Sequence, residues 1–160
     1  MAKDSLWTHK PSEVLRFRPG TSVGDIDTDS SPGFSGRRDD AEQITAERGD
    51  RFAELQEMLY ANGREGDHRS VLLVLQGMDT AGKGGIVTHV VGAGNPMGID
   101  YHSFGKPTPE ELSHHFLWRI NKALPRAGHI GVFDRSHYED VLVVRVHELV
   151  PADELEQRYD

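Results

Sequence analysis

The chain has 160 residues, a formal net charge of −8 and no cysteine. Its length suits one globular domain with a real core, and the lack of cysteine excludes disulfides, thiolate metal sites and cysteine nucleophiles. No apolar run approaches the ~18 residues of a membrane helix, and the start has no secretory apolar region. The net negative charge argues against non-specific binding to nucleic acid or to anionic membranes, so we expect neither as a partner. We also expect a cytoplasmic protein.

The charge is spread unevenly along the chain. Residues 64–147 carry nine basic and nine acidic residues and eight of the nine histidines, whereas all the net negative charge lies in residues 1–63 and 148–160. A neutral, histidine-rich middle can hold an anion that the charge of the whole chain would repel.

The first 63 residues predict an irregular arm and one helix. Residues 19–40 are rich in Gly, Ser, Asp and Pro and lack apolar periodicity, so residues 1–40 are predicted to be an irregular N-terminal arm. Residues 41–63 predict an amphipathic helix that packs on the core and ends at an Asn-Gly pair. The apolar residues at helical spacing are Ile44, Phe52, Leu55, Met58 and Leu59.

Strand–loop–helix units recur three times in residues 64–160, which predicts an α/β domain with a mostly parallel sheet. After Ser70 the first strand is an apolar run of leucines and β-branched valines, which is typical of a strand buried on both faces. The predicted strands are 70–75, 101–104 and 129–133, and the predicted helices are 86–91, 108–124, 138–147 and one that begins near 151.

A glycine-rich segment directly follows the first predicted strand. Residues 77–85 read GMDTAGKGG, where two glycines separated by four residues and then a lysine have the spacing of a phosphate-binding loop. Glycines let backbone N–H groups turn toward phosphate oxygens, the following helix offers its N-terminus, and the lysine adds a mobile cation. The alternative is a glycine-rich turn with an incidental lysine. The residues predicted to bind phosphate are Gly77, Thr80, Ala81, Gly82, Lys83 and Gly84.

One loop position departs from the general pattern. Gly84 stands where a Ser or Thr would hold Mg²⁺. Another group must then hold the metal, and Asp79, inside the loop, is the obvious carboxylate.

A second carboxylate ends the third predicted strand. Asp134 at this position, in the same sheet as a phosphate loop, is interpreted as the second metal-holding aspartate. Arg135 beside it offers five donors for a phosphoryl oxygen. The alternative is a strand-end aspartate that caps the next helix and pairs with Arg135.

The histidines and aromatic residues near 114–118 favour structural roles. His114 and His115 are adjacent, so they point to different sides of a helix and do not form a metal pair. Phe116 and Trp118 are interpreted as core residues, and a platform for stacking a nucleobase stays open as an alternative.

Together these segments resemble the polyphosphate kinase 2 family. The resemblance rests on GMDTAGKGG at 77–85, on the strand before it, and on GKPTPEELSHHFLWRINKALPRAGHIGVFDRSHYEDVLVVRVHELVP at 105–151, and it covers residues 45–160. It implies a P-loop kinase-like three-layer sandwich, with residues 64–160 as the phosphotransferase domain. It also implies Mg²⁺-dependent phosphoryl transfer between inorganic polyphosphate and a nucleotide, from AMP or ADP to ADP or ATP or in reverse.

Carried over by position, the resemblance also implies residue roles. Asp79 and Asp134 look like the metal and catalytic aspartates, Lys83 like the loop lysine, and Arg135 like the arginine at the transferring phosphoryl. The SHYEDVLVVRVH segment is similar to the branch that phosphorylates AMP and ADP, with guanine nucleotides as a further option. Family members continue beyond this length, so we expect a truncated N-terminal part whose fold is incomplete at its C-terminus and whose full-length form is a homo-oligomer.

Two other functions stay open on the sequence alone. One is an ATP-dependent nucleoside monophosphate kinase. An assay that compares polyphosphate with ATP as the phosphoryl donor separates it from a polyphosphate:nucleotide phosphotransferase. The other is a truncated nucleotide- or polyphosphate-binding protein without turnover, which a turnover assay beside a binding titration would reveal.

Overall fold

The computed structural model describes residues 6–159. The chain divides into two compact units, one that ends at Arg48 and one that begins at Gly49. Within the described residues, no helix has both the length and the apolar character that a membrane crossing needs.

The first unit is less irregular than the composition predicts, because the two ends of its arm pair with each other. Trp7 and Phe34 form an antiparallel bridge, with their ring centroids 5.0 Å apart. The backbone N–H of Thr8 donates to the Gly33 carbonyl at 2.9 Å, on the same pair of segments. The unit also contains the short helix α1, Pro11–Val14, a 3₁₀ turn at Val23–Asp25, and the start of helix α2, Arg38–Arg64. The predicted helix over 41–63 is thus confirmed with slightly wider bounds.

The second unit is built on a three-stranded parallel sheet, as predicted. The strands are β1, Val71–Leu75, β2, Ile99–Ser103, and β3, Ile130–Asp134, in the spatial order β1-β3-β2. In the pairing register Leu75 and Ser103 both lie opposite Asp134. Because the three strands end level, the segments that follow them emerge at one edge of the sheet.

Strand β3 is the centre of this unit, because it packs on both faces of the sheet. Successive side chains of a strand point to opposite faces, and β3 shows this directly. Val132 packs with Leu75, Val91 and Ile130 on one face, and Phe133 packs with Phe104 and Ile120 on the other. Helices α2 and α5 contribute to the two clusters respectively, so the sheet lies between helical layers.

The prediction that the first strand is buried on both faces is wrong. In β1, Val71, Leu72 and Val74 are 49%, 40% and 38% exposed, and only Leu75 is buried. The physical reason is position: among the described residues β1 pairs with β3 alone, at the edge of the sheet. Apolar β-branched sequence shows the tendency to form a strand and does not show whether neighbours cover it.

The remaining helices are short. They are α3, Lys83–His89, α4, Pro109–Leu112, α5, Trp118–Lys122, α6, Leu142–Val146, and α7, Ala152–Glu156, with 3₁₀ turns at Val91–Ala93, Pro96–Gly98 and His137–Asp140. The predicted helix over 138–147 is therefore a 3₁₀ turn followed by one short α-helix. Glu139, within this 3₁₀ turn, accepts a hydrogen bond from the side chain of Gln76, the residue that follows β1.

The single helix predicted over 108–124 is also wrong, since α4 and α5 are separate. The start is as predicted: Thr108 Oγ1 accepts from the Glu111 N–H and the Glu111 carboxylate accepts from the Thr108 N–H, which forms a capping box. The helix stops because side chains downstream bond to local backbone instead. Ser113 Oγ donates to the Glu110 carbonyl at 2.7 Å, and His115 Nδ1 accepts from the Leu117 N–H at 3.3 Å.

Candidate functional site

The glycine-rich segment forms a loop between β1 and α3, as its sequence predicts. Gly82 has φ +86°, a left-handed conformation that favours glycine. Lys83 begins α3 and turns back over the loop, where its Nζ donates to the carbonyls of Gly77 at 2.8 Å and Met78 at 2.9 Å. The lysine ammonium is therefore held by neutral oxygens at the mouth of the loop.

Arg135 reaches this loop from the end of β3. Its N–H donates to the Leu75 carbonyl at 2.9 Å, which fastens the two strand ends together. Its guanidinium Nη2 donates to Asp79 Oδ1 at 3.0 Å, and its Nη1 lies 3.8 Å from Glu139 Oε2. The loop and the end of β3 thus form one site, joined through an arginine.

Asp134 lies beside this arginine and is only partly satisfied. Its Oδ2 accepts a hydrogen bond from the Tyr101 hydroxyl at 3.1 Å. Its Oδ1 is buried and has no hydrogen-bond partner among the described residues. Burial and the hydrogen bond to Asp134 together raise the pKa of Tyr101 above its usual value, so the phenol remains a donor.

The alternative interpretation of this segment, in which Asp134 caps a helix and pairs with Arg135, is wrong. Ser136 caps the 3₁₀ turn that follows, since its Oγ accepts from the Tyr138 N–H at 3.2 Å. Arg135 pairs with Asp79 and Glu139. The strand-end carboxylate is therefore not used as a cap.

Backbone conformation marks the same two segments independently of the motif. Among the described residues, the non-glycine residues in the left-handed region are Thr80 with φ 69°, Arg135 with φ 65° and Glu148 with φ 50°. Two of these three lie in the loop and at the end of β3. Such conformations are costly and cluster where function needs a particular geometry.

The structure brings some predicted site residues together and separates others. Asp79 contacts Arg135 and is 84% exposed, whereas Asp134 bonds Tyr101. Groups of three or more His, Asp or Glu that could hold a metal ion do not occur in residues 6–159. The remaining loop residues with predicted phosphate contacts, Thr80, Ala81, Gly82 and Gly84, are exposed.

Comparison with protein families identifies the family of the chain. The family model described as "Polyphosphate kinase 2 (PPK2)" matches residues 35–160. The chain belongs to the polyphosphate kinase 2 family. The resemblance inferred from the sequence is thereby confirmed.

Individual polyphosphate kinase 2 relatives give the same result. The chain is 46% identical over 134 residues to the AMP/ADP-polyphosphate phosphotransferase of Meiothermus ruber, covering 84% of this chain and 49% of that protein. It is 50% identical over 98 residues to the ADP-polyphosphate phosphotransferase of Rhodopseudomonas palustris, covering 61% and 32%. The chain therefore spans about half the length, or less, of these curated relatives.

Solved polyphosphate kinase 2 structures share the fold. The crystal structure of polyphosphate kinase 2 from Arthrobacter aurescens has a TM-score of 0.91 and 53% identity, covering 96% of this chain and 54% of that one. A putative polyphosphate kinase 2 from Pseudomonas aeruginosa has a TM-score of 0.72 and 26% identity, covering 86% of this chain and 28% of that one. The predicted P-loop kinase-like α/β fold with a parallel sheet is confirmed.

Sequence reasoning missed four side chains that complete this site in the polyphosphate kinase 2 chain. Glu139 follows Arg135 by four residues, a spacing that could have indicated an ion pair. Tyr101 could have been found from the parallel register, since it lies two residues before the end of β2. Gln76 and Ser136 carry no local signal, because their bond joins residues 60 positions apart.

The aromatic residues of segment 114–118 contact their own neighbours. His114 stacks on Trp118 with centroids 4.2 Å apart, and Lys122 Nζ lies 4.2 Å from the same ring centroid. Arg158 lies over the Phe116 ring at 5.3 Å. Both rings are partly buried, which favours the structural interpretation over an open platform for a nucleobase.

Proposed function

We propose that the protein containing this chain transfers phosphoryl groups between inorganic polyphosphate and a nucleotide, with AMP and ADP as acceptors. The observation that carries the proposal is the meeting of a phosphate loop and Arg135 at one sheet edge, joined by the 3.0 Å contact to Asp79. The relatives from Meiothermus ruber and Rhodopseudomonas palustris are named for polyphosphate transfer with AMP/ADP and with ADP, respectively. Another relative is named for GDP, so GDP belongs among the acceptors to test.

Lys83 is suited to bind a phosphate of the donor. Its described hydrogen bonds go to two carbonyl oxygens, so no carboxylate in those bonds neutralises its charge. A phosphate oxygen can replace a neutral carbonyl with a gain in Coulomb energy, because the Lys83 ammonium attracts an anionic oxygen more strongly than a neutral one. The loop N–H groups add neutral donors around the same phosphate.

Arg135 is suited to stabilise the equatorial oxygens of the transferring phosphoryl group. Its pairing with the exposed Asp79 is the kind of surface ion pair that is worth about 0–1 kcal/mol. A phosphoryl group with more negative charge can therefore displace Asp79 at little cost. An arginine in this position contributes about 10³-fold or more to the rate in phosphoryl transfer.

Mg²⁺ fits the carboxylates of this site. Mg²⁺ in phosphoryl-transfer sites is held by one or two carboxylates together with substrate phosphates and waters, so a cage of three acidic residues is not needed. Asp134 offers a buried oxygen that lacks a partner among the described residues, and Asp79 offers an exposed carboxylate. When bound, Mg²⁺ neutralises charge on the phosphates.

The attacking group needs little help from the protein. The acceptor phosphate is already anionic at neutral pH, so the chain need supply no strong general base. Its contribution is to position donor and acceptor in line and to neutralise charge. Lys83 supplies that charge from the start of α3, and Arg135 supplies it from the residue that follows β3.

We propose that the protein acts in the cytoplasm. The substrates proposed here, together with a cysteine-free chain of net charge −8, favour the cytoplasm and do not favour nucleic acid as a partner. Homo-oligomerisation stays a prediction, to be measured by light scattering.

The test is a donor and acceptor matrix with the protein that contains this chain. AMP, ADP and GDP are each incubated with polyphosphate or with ATP, and products are separated by chromatography. We expect polyphosphate-dependent formation of ADP and ATP. Transfer that requires ATP as donor would contradict the proposal in favour of a nucleoside monophosphate kinase, and binding without turnover would reduce it to a binding protein.

A further inference from the structure

Gln76, the residue between β1 and the phosphate loop, links that loop's base to the segment after β3. Its side-chain Oε1 accepts from Ser136 Oγ at 3.1 Å, and its Nε2 donates to Glu139 Oε1 at 2.8 Å. These partners are 60 and 63 residues away in the sequence. One amide therefore bridges two residues of the segment that carries Arg135.

The hydrogen-bond network fixes the direction of this amide. Ser136 Oγ already accepts from the Tyr138 N–H, so its hydroxyl hydrogen is free to be donated to Gln76 Oε1. The Glu139 carboxylate oxygen is an acceptor, so it takes the amide N–H. Ser136 is fully buried, which gives the network a fixed end inside the protein.

Glu139 passes this restraint to Arg135. One carboxylate oxygen of Glu139 is held by Gln76, and the other lies 3.8 Å from Arg135 Nη1. The side chain of Glu139 is 19% exposed, compared with 84% for Asp79, the other acidic partner of Arg135. When phosphate or metal draws Asp79 away, Glu139 remains as the well-held partner.

We infer that Gln76 is a positioning residue that, through Glu139, keeps the Arg135 guanidinium aimed at the phosphate loop. This inference rests on the proposed function. Gln76 itself bonds Ser136 and Glu139 and acts on the reaction only through them. Its effect is to order an arginine before the substrate arrives, since misplacement of a catalytic group by about 1 Å can cost ~10²-fold in rate.

A double-mutant cycle tests whether Gln76 acts through Glu139. Gln76→Ala, Glu139→Ala and the double variant are compared with the wild type for kcat and KM with polyphosphate and ADP. We expect Gln76→Ala to lower kcat by about 10-fold to 100-fold, and the double variant to be no slower than Glu139→Ala alone. Effects that multiply would overturn the inference, because independent sites add in free energy.

A second variant separates positioning from packing. Gln76→Glu is nearly the same shape, but an ionised carboxylate cannot donate to Glu139 and repels it. Protonation restores a donor, so we expect the kcat ratio of Gln76→Glu to wild type to rise as the pH is lowered from 8 toward 5. A ratio that stays flat would contradict the inference even if Gln76→Ala fails to fold.

Two controls keep the outcomes distinct. Gln43→Ala removes an exposed glutamine of the first unit and should leave kcat unchanged. The assay of the wild type with polyphosphate or ATP as donor tests the proposed function separately.

The NMR signal of the Arg135 side-chain Nε–Hε group tests the inference without turnover. We expect that signal, assigned by its loss in Arg135→Lys, to report greater side-chain mobility in Gln76→Ala, and unchanged mobility would overturn the inference.

Discussion

The two segments that meet at the site, loop 77–82 after β1 and residues 135–140 after β3, are held in opposite ways. In the loop, Asp79 is 84% and Met78 83% exposed, and the side-chain contact described to the rest of the site is the pairing of Asp79 with Arg135. In the segment after β3, Ser136 and Asp140 are buried. One side of the site is open and the other is anchored.

Three residues from other parts of the chain hold the segment after β3, residues 135–140, in place. Gln76 bonds Ser136 and Glu139 at one end. At the other end Arg119 Nη2 donates to Asp140 Oδ2 at 2.7 Å, and a further guanidinium, that of Arg158, donates to the Asp140 carbonyl at 2.6 Å. Arg135 is thus presented by a segment fixed at both ends.

The difference follows from where each strand lies in the sheet. β3 is central and packs on both faces, so the segment after it lies against buried groups, whereas β1 lies at the edge of the described sheet. A loop that must wrap a phosphate has to leave its N–H groups accessible, while an arginine that stabilises a transition state gains from being fixed beforehand. The two halves of the site fit these two needs.

The largest effect should come from the group that joins the two segments. We expect Arg135→Ala to lower the transfer rate by about 10³-fold, because its guanidinium is the cation that reaches the loop from β3. The rate of ATP formation from ADP and polyphosphate measures this. Arg51→Ala, which removes an exposed arginine paired with Glu54 on α2, is the matched control and should keep the wild-type rate.

Lys83→Ala should have the next largest effect on the transfer rate, and it should act only through phosphate binding at the loop after β1. Since the Nζ bonds only backbone carbonyls in the described contacts, its removal should leave the thermal midpoint within about 2 °C and lower transfer by about 10²-fold. Near-wild-type turnover at saturating polyphosphate would contradict the assignment of the loop. Lys10→Ala, an exposed lysine of the first unit, serves as the control.

Thermal stability should depend more on the anchored segment after β3 than on the open loop after β1. Asp140→Ala leaves the buried Arg119, whose side chain is 6% exposed, without its carboxylate, and breaking such a pair costs about 3 kcal/mol. For a chain of this size that is a fall of about 6–12 °C in Tm. Asp79→Ala should change Tm by under about 4 °C, since exposed pairs contribute about 0–1 kcal/mol. Equal shifts, measured by circular dichroism, would remove the distinction between an open and an anchored side.

The two aspartates should both matter for Mg²⁺, each from its own side of the site. We expect Asp79→Asn and Asp134→Asn each to raise the Mg²⁺ concentration for half-maximal rate by about tenfold or more, since loss of even an outer-shell partner of a metal ligand typically costs about 10–100-fold in metal affinity. Gly84 cannot supply the usual hydroxyl ligand, so the carboxylates should carry this function. If Asp79→Asn leaves the Mg²⁺ dependence unchanged, Asp79 does not replace the missing Ser or Thr as a metal ligand.

Much of this arrangement could be predicted from the sequence because its signals are local. The loop glycines with Lys83, the apolar runs of the strands, and Asp134 with Arg135 are each contiguous, and the parallel register then places them at one edge. The helix start at Thr108 is also predictable from the sequence, since a capping box involves only four residues. Local physics decides these features, so a single sequence suffices.

The features that were missed depend on what lies elsewhere in the fold. The exposure of Val74 in β1 is set by the absence of a neighbour among the described strands, and the break at Ser113 is set by competing side-chain bonds. The link from Gln76 to Glu139 spans 63 residues. No spacing rule connects positions that far apart, so the anchoring of Arg135 became visible only in three dimensions.

The smallest expected effect concerns Tyr101, which supports Asp134 on the anchored side through a single hydrogen bond of 3.1 Å. Tyr101→Phe removes this donor and should cost about 0.5–1 kcal/mol of stability at neutral pH, the net value of one such bond. The pKa of Tyr101 is raised, because burial and the bond to Asp134 favour its protonated form. A raised folded-state pKa means that the contribution is complete below the ordinary tyrosine pKa of about 10 and is lost as the pH rises through the folded value. The difference in unfolding free energy between wild type and Tyr101→Phe, measured in urea from pH 7 upward, should therefore shrink above pH ~10. A difference that stays constant across that range would show that the phenol does not act through its proton.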